Sequence, residues 1–191
     1  DVWIGATVTA VLFELGKTLI GLYIANSAMI SAYGAATSLV AFLVALLAAW
    51  SLGLGAAILG AILVQAASVL DGVDGEIARL QVRASPRGAL LDGVLDRLAD
   101  AAVIAGLAVW ALESGGSPAS IALLAVAATA GSILSMASKD RMAAHRIPPA
   151  PERWISFLLG SRDARLLIVA IGALIGRPEI ALAAIALTSG L

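Results

Sequence analysis

The chain has 191 residues, of which 61% are hydrophobic and only 13% charged, with a formal net charge of −1. A soluble domain has about a quarter of its residues charged, so a globule facing water on all sides is excluded and lipid is the expected solvent for much of the surface. Cysteine is absent, which excludes disulfides, thiolate metal sites and cysteine nucleophiles.

Apolar stretches run over residues 3–29, 33–50, 55–70, 98–112, 120–136, 154–175 and 180–191. Several approach or exceed the roughly 20 residues needed to cross a bilayer. Backbone groups in hydrocarbon must pair within their own segment, which favours helices. The third stretch is expected to continue as a helix past the membrane surface to Leu80, and the fourth to begin as early as Gly88. The segments Ser51–Gly55, Glu113–Pro118 and Gly176–Pro178 hold the Gly, Ser and Pro of tight connections. Gly and Ala abound within the spans and let helix backbones approach closely. The fold predicted is all-α, a polytopic transmembrane bundle of about six helices. The chain begins at Asp1, and its last apolar stretch is too short to span alone, so a piece of a longer protein is expected.

Ten of the twelve Lys and Arg fall in two stretches: Arg79, Arg83, Arg87 and Arg97, then Lys139, Arg141, Arg146, Arg153, Arg162 and Arg165. Lys and Arg mark the cytoplasmic side of a membrane protein. Both stretches therefore belong on that side, where they can build one site in an integral cell-membrane protein.

Between them lies the segment that carries chemistry. Asp71, Asp74, Gly75 and Ala78 are spaced i, i+3, i+4, i+7 and share one face of a helix, and Gly88, Asp92 and Asp96 share a face of the next. Two carboxylates from each helix make a cluster whose mutual repulsion and desolvation a divalent cation would relieve. Oxygen-only ligands suit Mg²⁺, Mn²⁺ or Ca²⁺ rather than zinc. Gly75, Ala78 and Gly88 leave a trench free of side chains beside the cation, where a flat base and a diphosphate fit. Arg79 is placed to neutralise phosphate oxygens or to pair with one of the aspartates.

From Asp71 to Asp96 the chain resembles the CDP-alcohol phosphotransferase family, whose signature is D-x2-D-G-x2-A-R-x8-G-x3-D-x3-D, and it meets every fixed position. The resemblance implies a metal-dependent enzyme, with Mg²⁺ or Mn²⁺ as cofactor. Asp71, Asp74 and Asp92 would bind the metal, and Asp96 would bind it and act as general base on the acceptor hydroxyl. Asp74, Gly75, Ala78, Arg79 and Gly88 would line the nucleotide site. The implied reaction transfers a phospho-alcohol group from a CDP-alcohol to a hydroxyl and releases CMP. The partners implied are the donor, the acceptor and the bilayer, with a homodimer allowed and no nucleic acid. Ser161-Arg-Asp-Ala-Arg-Leu166 and Asp74-Gly-Glu-Ile-Ala-Arg79 resemble the branch of the family that handles inositol phosphates. Lys139, Arg141, Arg162 and Arg165 are accordingly the expected contacts of a phosphorylated acceptor.

The family usually enters its first membrane helix through a Thr-Pro-Asn-type segment, and none stands here. Residues 1–40 instead resemble the YihY/BrkB type of membrane protein in Leu15-Gly-Lys-Thr-Leu-Ile-Gly-Leu-Tyr23 and Ser31-Ala-Tyr-Gly-Ala-Ala36. The expected division is an N-terminal membrane segment, 1–40, and a phosphotransferase domain, 41–191. Asp100 extends the Asp92–Asp96 face by one more turn, and an ion pair with Arg97 or a neighbouring helix is the favoured reading. His145, the one histidine, is expected on a solvated surface. Two rival functions are a cation transporter, which would need polar groups continuing across the membrane, and a non-catalytic membrane scaffold.

Overall fold

Glycine and proline set the ends of the helices. In the structure, a computed structural model that describes residues 34–80, 86–145 and 161–188, six helices follow in order. They are α1 (Gly34–Gly53), α2 (Ala57–Leu80), α3 (Pro86–Glu113), α4 (Pro118–Ala144), α5 (Arg162–Ile175) and α6 (Pro178–Thr188). Within these helices the side chains of 34–36, 74–80, 86–89, 91, 139, 140 and 143 lie outside the description. Residues 1–33 also lie outside it, and with them most of the segment expected to stand apart from the phosphotransferase domain.

Helices α1, α3 and α5 end in the same way. Gly55, Gly115 and Gly176 adopt the left-handed conformation at φ 72°, 90° and 72°, which is open to glycine without the steric cost of a Cβ. Each donates its N–H to the carbonyl three residues back, Leu52, Leu112 or Ala173, and the following residue reaches five back, to Ser51, Ala111 or Gly172. This pairing satisfies carbonyls that a helix C-terminus otherwise leaves open. Pro118 and Pro178 then stand first in α4 and α6, where the missing N–H costs nothing. The three connections predicted from Gly, Ser and Pro are thus tight turns between consecutive helices.

The continuations expected beyond the apolar stretches are also present. Helix α2 runs to Leu80 and α3 begins at Pro86, so both carry the acidic segments as helix. No strand occurs among the described residues. By length and composition one described helix, Pro118–Ser138, is suited to cross a membrane, with 21 residues at a mean hydropathy of 1.9. Thr37–Gly53, Ala57–Val73 and Pro178–Thr188 are apolar but shorter. The apolar runs of α2 and α3 are shortened because their site-side turns are given over to Asp and Arg.

Packing relies on small side chains. Helix α1 lies against α2 and α3, α5 against α2, and α6 against α3, α4 and α5. Ala48, Ala61, Ala111, Ala128, Ala170, Ala173 and Ala181 are buried in the core around Leu52, Leu107 and Leu182. The tightest approach is at Gly106, where an added Cβ would meet the carbonyl oxygen of Ala49 and lie 3.0 Å from its Cα and carbonyl carbon. Backbone cannot yield there as a side chain can, so α1 and α3 would have to separate. Gly106→Ala is expected to cost about 1–3 kcal/mol through overpacking, despite the better helix propensity of alanine. Gly93→Ala, where an added Cβ meets nothing within 4 Å, should be neutral or slightly stabilising. Thermal unfolding midpoints of the two variants check this, and equal midpoints would refute the contact.

Candidate functional site

The acidic motif closes into one cluster. Asp71, near the end of the apolar part of α2, and Asp92 and Asp96, one turn apart on α3, each bring a carboxylate oxygen within 4.8 Å of the other two. All three residues are half-buried. The spacing i and i+4 on α3 places Asp92 and Asp96 on one face, and α2 brings Asp71 to them. The side chains of Asp74, Gly75, Ala78, Arg79 and Gly88, expected at the metal and nucleotide sites, lie outside the description.

Arg162, the first residue of α5, reaches into this cluster. Its Nη1 donates to Asp71 Oδ2 and pairs with Asp96 Oδ1 at 3.1 Å. Its Nε donates to Asp100 Oδ1, also at 3.1 Å. Arg165, one turn along α5, is buried and directs Nη2 to Asp100 Oδ2 at 3.5 Å. Ser132 of α4, itself buried, donates its hydroxyl to the same oxygen at 3.0 Å. Asp100 therefore pairs with a neighbouring helix, as favoured from sequence.

The start of α5 is held firmly. Ser161 caps the helix by accepting the Ala164 N–H on its hydroxyl at 3.1 Å, which satisfies one donor left open at a helix N-terminus. Asp163 in the first turn complements the positive end of the helix dipole, and it accepts the Ser68 hydroxyl from α2 at 2.8 Å. One turn before Ser68, Gln65 donates Nε2 to the Leu166 carbonyl at 3.1 Å. Gln65, Ser68 and Asp71 thus form a polar line on α2, spaced three apart, along which α5 docks.

The four expected acceptor cations separate. Arg162 stands among the carboxylates, whereas Arg165 is turned inward onto Asp100 with its side chain 8% exposed. Arg141 is exposed in the last turn of α4, and the Lys139 side chain lies outside the description. His145 is exposed just after α4. Sequence reasoning did not single out Gln65, Ser68, Ser132 or Asp163. Their signal was available for two of them, as isolated polar residues at i, i+3 of an apolar helix leading to Asp71.

The donor set fits a hard divalent cation. The described oxygens are carboxylates, they come from two helices, and their separations need close only slightly to share an ion at about 2.1 Å. Arg162 pairs with Asp71, Asp96 and Asp100, and Arg165 pairs with Asp100.

Comparison with known proteins names the family. The model for the CDP-alcohol phosphatidyltransferases matches residues 22–190, and the chain belongs to that family. The bifunctional IPC transferase and DIPP synthase of Rubrobacter xylanophilus is 42% identical over 147 residues, covering 77% of this chain and 32% of that protein. The archaetidylinositol phosphate synthase of Pyrococcus horikoshii is 33% identical over 99 residues, 52% of this chain and 48% of that one. The chain thus spans about a third to a half of these curated relatives. Among solved structures, the phosphatidylinositol phosphate synthase of Mycobacterium tuberculosis with CDP-DAG bound superposes with a TM-score of 0.67 at 20% identity, over 91% of this chain and 87% of that one. At that identity the likeness is one of fold. The same enzyme has been solved in complex with manganese and citrate, with a TM-score of 0.60 at 19% identity over 82% of this chain and 76% of that one.

Proposed function

We propose that this chain is a membrane-embedded, metal-dependent phosphotransferase that moves a phospho-alcohol group from a CDP-alcohol to a hydroxyl acceptor and releases CMP. The observation that carries the reading is the meeting of Asp71, Asp92 and Asp96, three aspartates of the family signature, in one oxygen cluster. The bundle would lie in the bilayer. Large apolar side chains around its outside support this, among them Trp50 at 70% exposure, Ile58 at 69%, Leu123 at 71% and Leu134 at 70%. Such a surface is far more apolar than a monomer in water tolerates. The clustering of Lys and Arg at the site end supports a cytoplasmic opening. Residues 41–191 would form the catalytic domain, and the family match reaches back to residue 22.

The chain's own groups divide the work. Asp71, Asp74, Asp92 and Asp96 would hold Mg²⁺ or Mn²⁺; manganese in the M. tuberculosis relative supports that choice. Such a cation supplies Lewis-acid stabilisation of charge on diphosphate oxygens. Gly75, Ala78, Arg79 and Gly88 would bind the nucleotide. Asp96 takes the proton of the acceptor hydroxyl. The acceptor oxygen then bonds to the β-phosphorus, the bond from that phosphorus to the bridging oxygen breaks, and CMP departs with the bridging oxygen. Relatives named for inositol phosphate products support an acceptor that is a phosphorylated polyol of inositol phosphate type. Arg162, with Arg141 and Lys139 from α4, would receive its phosphate, while the buried Arg165 acts through Asp100.

The reading is tested by CMP release from purified protein given CDP-diacylglycerol or CDP-inositol with inositol phosphate, glycerol phosphate or serine. Activity should require Mg²⁺ or Mn²⁺. Asp71→Asn or Asp92→Asn should abolish it and weaken Mn²⁺ binding measured by electron paramagnetic resonance, because each removes a charged ligand. Full activity of either variant in chelator would overturn the metal assignment. A protein that binds Mn²⁺ but conducts cations across vesicles without releasing CMP would be a transporter.

Asp96→Asn should lower kcat by roughly 10² to 10⁴, the range for loss of general acid–base help, with a smaller effect on donor KM. Loss of nucleotide binding as complete as in Asp71→Asn would make Asp96 chiefly a ligand. Arg162→Ala should raise the acceptor KM about 10- to 100-fold, the effect of a lost charge-assisted hydrogen bond, and change the donor KM less. A two-substrate kinetic matrix separates these. Equal shifts, or preference for an uncharged acceptor, would remove Arg162 from the acceptor site.

A further inference from the structure

Asp100 is the one described carboxylate at this end of the bundle that is almost sealed, with its side chain 7% exposed. It stands one helical turn beyond Asp96, yet it falls outside the set of oxygens that come together on Asp71, Asp92 and Asp96. Both of its oxygens are taken. Oδ1 accepts Arg162 Nε at 3.1 Å, and Oδ2 accepts the Ser132 hydroxyl at 3.0 Å and Arg165 Nη2 at 3.5 Å. Three helices, α3, α4 and α5, therefore converge on one side chain.

A buried ion pair is weak evidence of a stability role, because well-packed apolar residues often serve as well or better. What this one does supply is direction. The guanidinium is a rigid planar fork. Fixing Nε on Asp100 sets the plane of the Arg162 group and points its far edge at Asp71 and Asp96. Arg165 engages the second oxygen of Asp100 in a nearly dry setting. Ser132 fixes the carboxylate from α4.

We infer that Asp100 is a positioning residue of the transfer reaction. It is not a metal ligand, and with Ser132 and Arg165 it aims the Arg162 guanidinium at the point where the acceptor's phosphate must dock beside the carboxylate cluster. This inference rests on the phosphotransferase reading for its kinetic consequences and on geometry alone for the orientation of Arg162.

The test has two arms. In the first, the Arg162 side-chain Nε–H is observed by ¹⁵N nuclear magnetic resonance in detergent micelles and assigned by its loss in Arg162→Lys. It should be protected from solvent exchange in the wild type. In Asp100→Asn the signal should shift and lose most of that protection, and in Ser132→Ala it should do so more weakly, with the helical circular dichroism spectrum kept. Ser132→Ala keeps every charge and so remains informative if Asp100→Asn does not fold. An unprotected Nε–H in the wild type, or one indifferent to Ser132→Ala and Asp100→Asn, overturns the proposal whether or not the protein releases CMP.

In the second arm, Asp100→Asn should raise the acceptor KM about tenfold while Mn²⁺ affinity and donor KM stay within about twofold. In an Arg162→Lys background the same change should add less than about twofold, because its effect runs through Arg162. Loss of Mn²⁺ binding to the degree seen in Asp71→Asn would make Asp100 a ligand and overturn the proposal, as would fully additive effects of the two substitutions. A wild type that releases no CMP but shows the protected Nε–H would refute the phosphotransferase reading and leave the orientation of Arg162 standing.

Discussion

The arrangement at this end of the bundle depends on the fit of one guanidinium among carboxylates from two helices. Arg162 bonds to α2 through Asp71 and to α3 through Asp96 and Asp100. Charges of this kind are costly to remove from water unless each finds a partner, so the helices that bear them are not free to choose other neighbours. The docking of α5 is accordingly overdetermined. Its cap, its first-turn aspartate bound to Ser68 and the Leu166 carbonyl bound to Gln65 all act within five residues of Arg162.

Away from this knot the bundle is assembled with little chemistry of its own. Alanine and glycine bring backbones together around a few buried leucines, and many other large apolar side chains turn outwards. Dispersion and close contact hold such an interior, which suits a solvent of hydrocarbon, where burying leucine gains nothing over leaving it exposed. Polar contacts then become the feature that distinguishes one helix pairing from another. Here they are concentrated where the proposed chemistry takes place.

Much of this was legible from local pattern. The apolar stretches, the Gly-Pro connections, the extension of α2 to Leu80 and the shared face of Asp92 and Asp96 depend on residues within a few turns of one another. The environment of Asp100 was not legible to the same degree. Its partners lie 32 residues away at Ser132, 62 at Arg162 and 65 at Arg165, and which of them it meets is decided by the order in which helices pack. Arg162 and Arg165 illustrate the same limit. Their three-residue spacing made them look equivalent, yet one faces the cluster and the other is buried behind it. Gln65 and Ser68 were hidden for a plainer reason, since single polar residues in an apolar helix are common and their partner helix lies about 100 residues along the chain.

The three glycine turns share a consequence for motion. Each clamps a pair of consecutive helices at the pole opposite the carboxylates, so α1–α2, α3–α4 and α5–α6 resemble three tweezers pinched at one end. Along α3, Asp96 lies nineteen residues from Gly115, a lever of roughly 28 Å at 1.5 Å per residue. Tilting such an arm by about 5° leaves the turn almost undisturbed and carries the carboxylate about 2.4 Å, close to the width of a metal–oxygen bond. Arg162 ties α2, α3 and α5 together at that far end, so the bonds of one guanidinium hold in check the displacement that the glycine turns would otherwise permit.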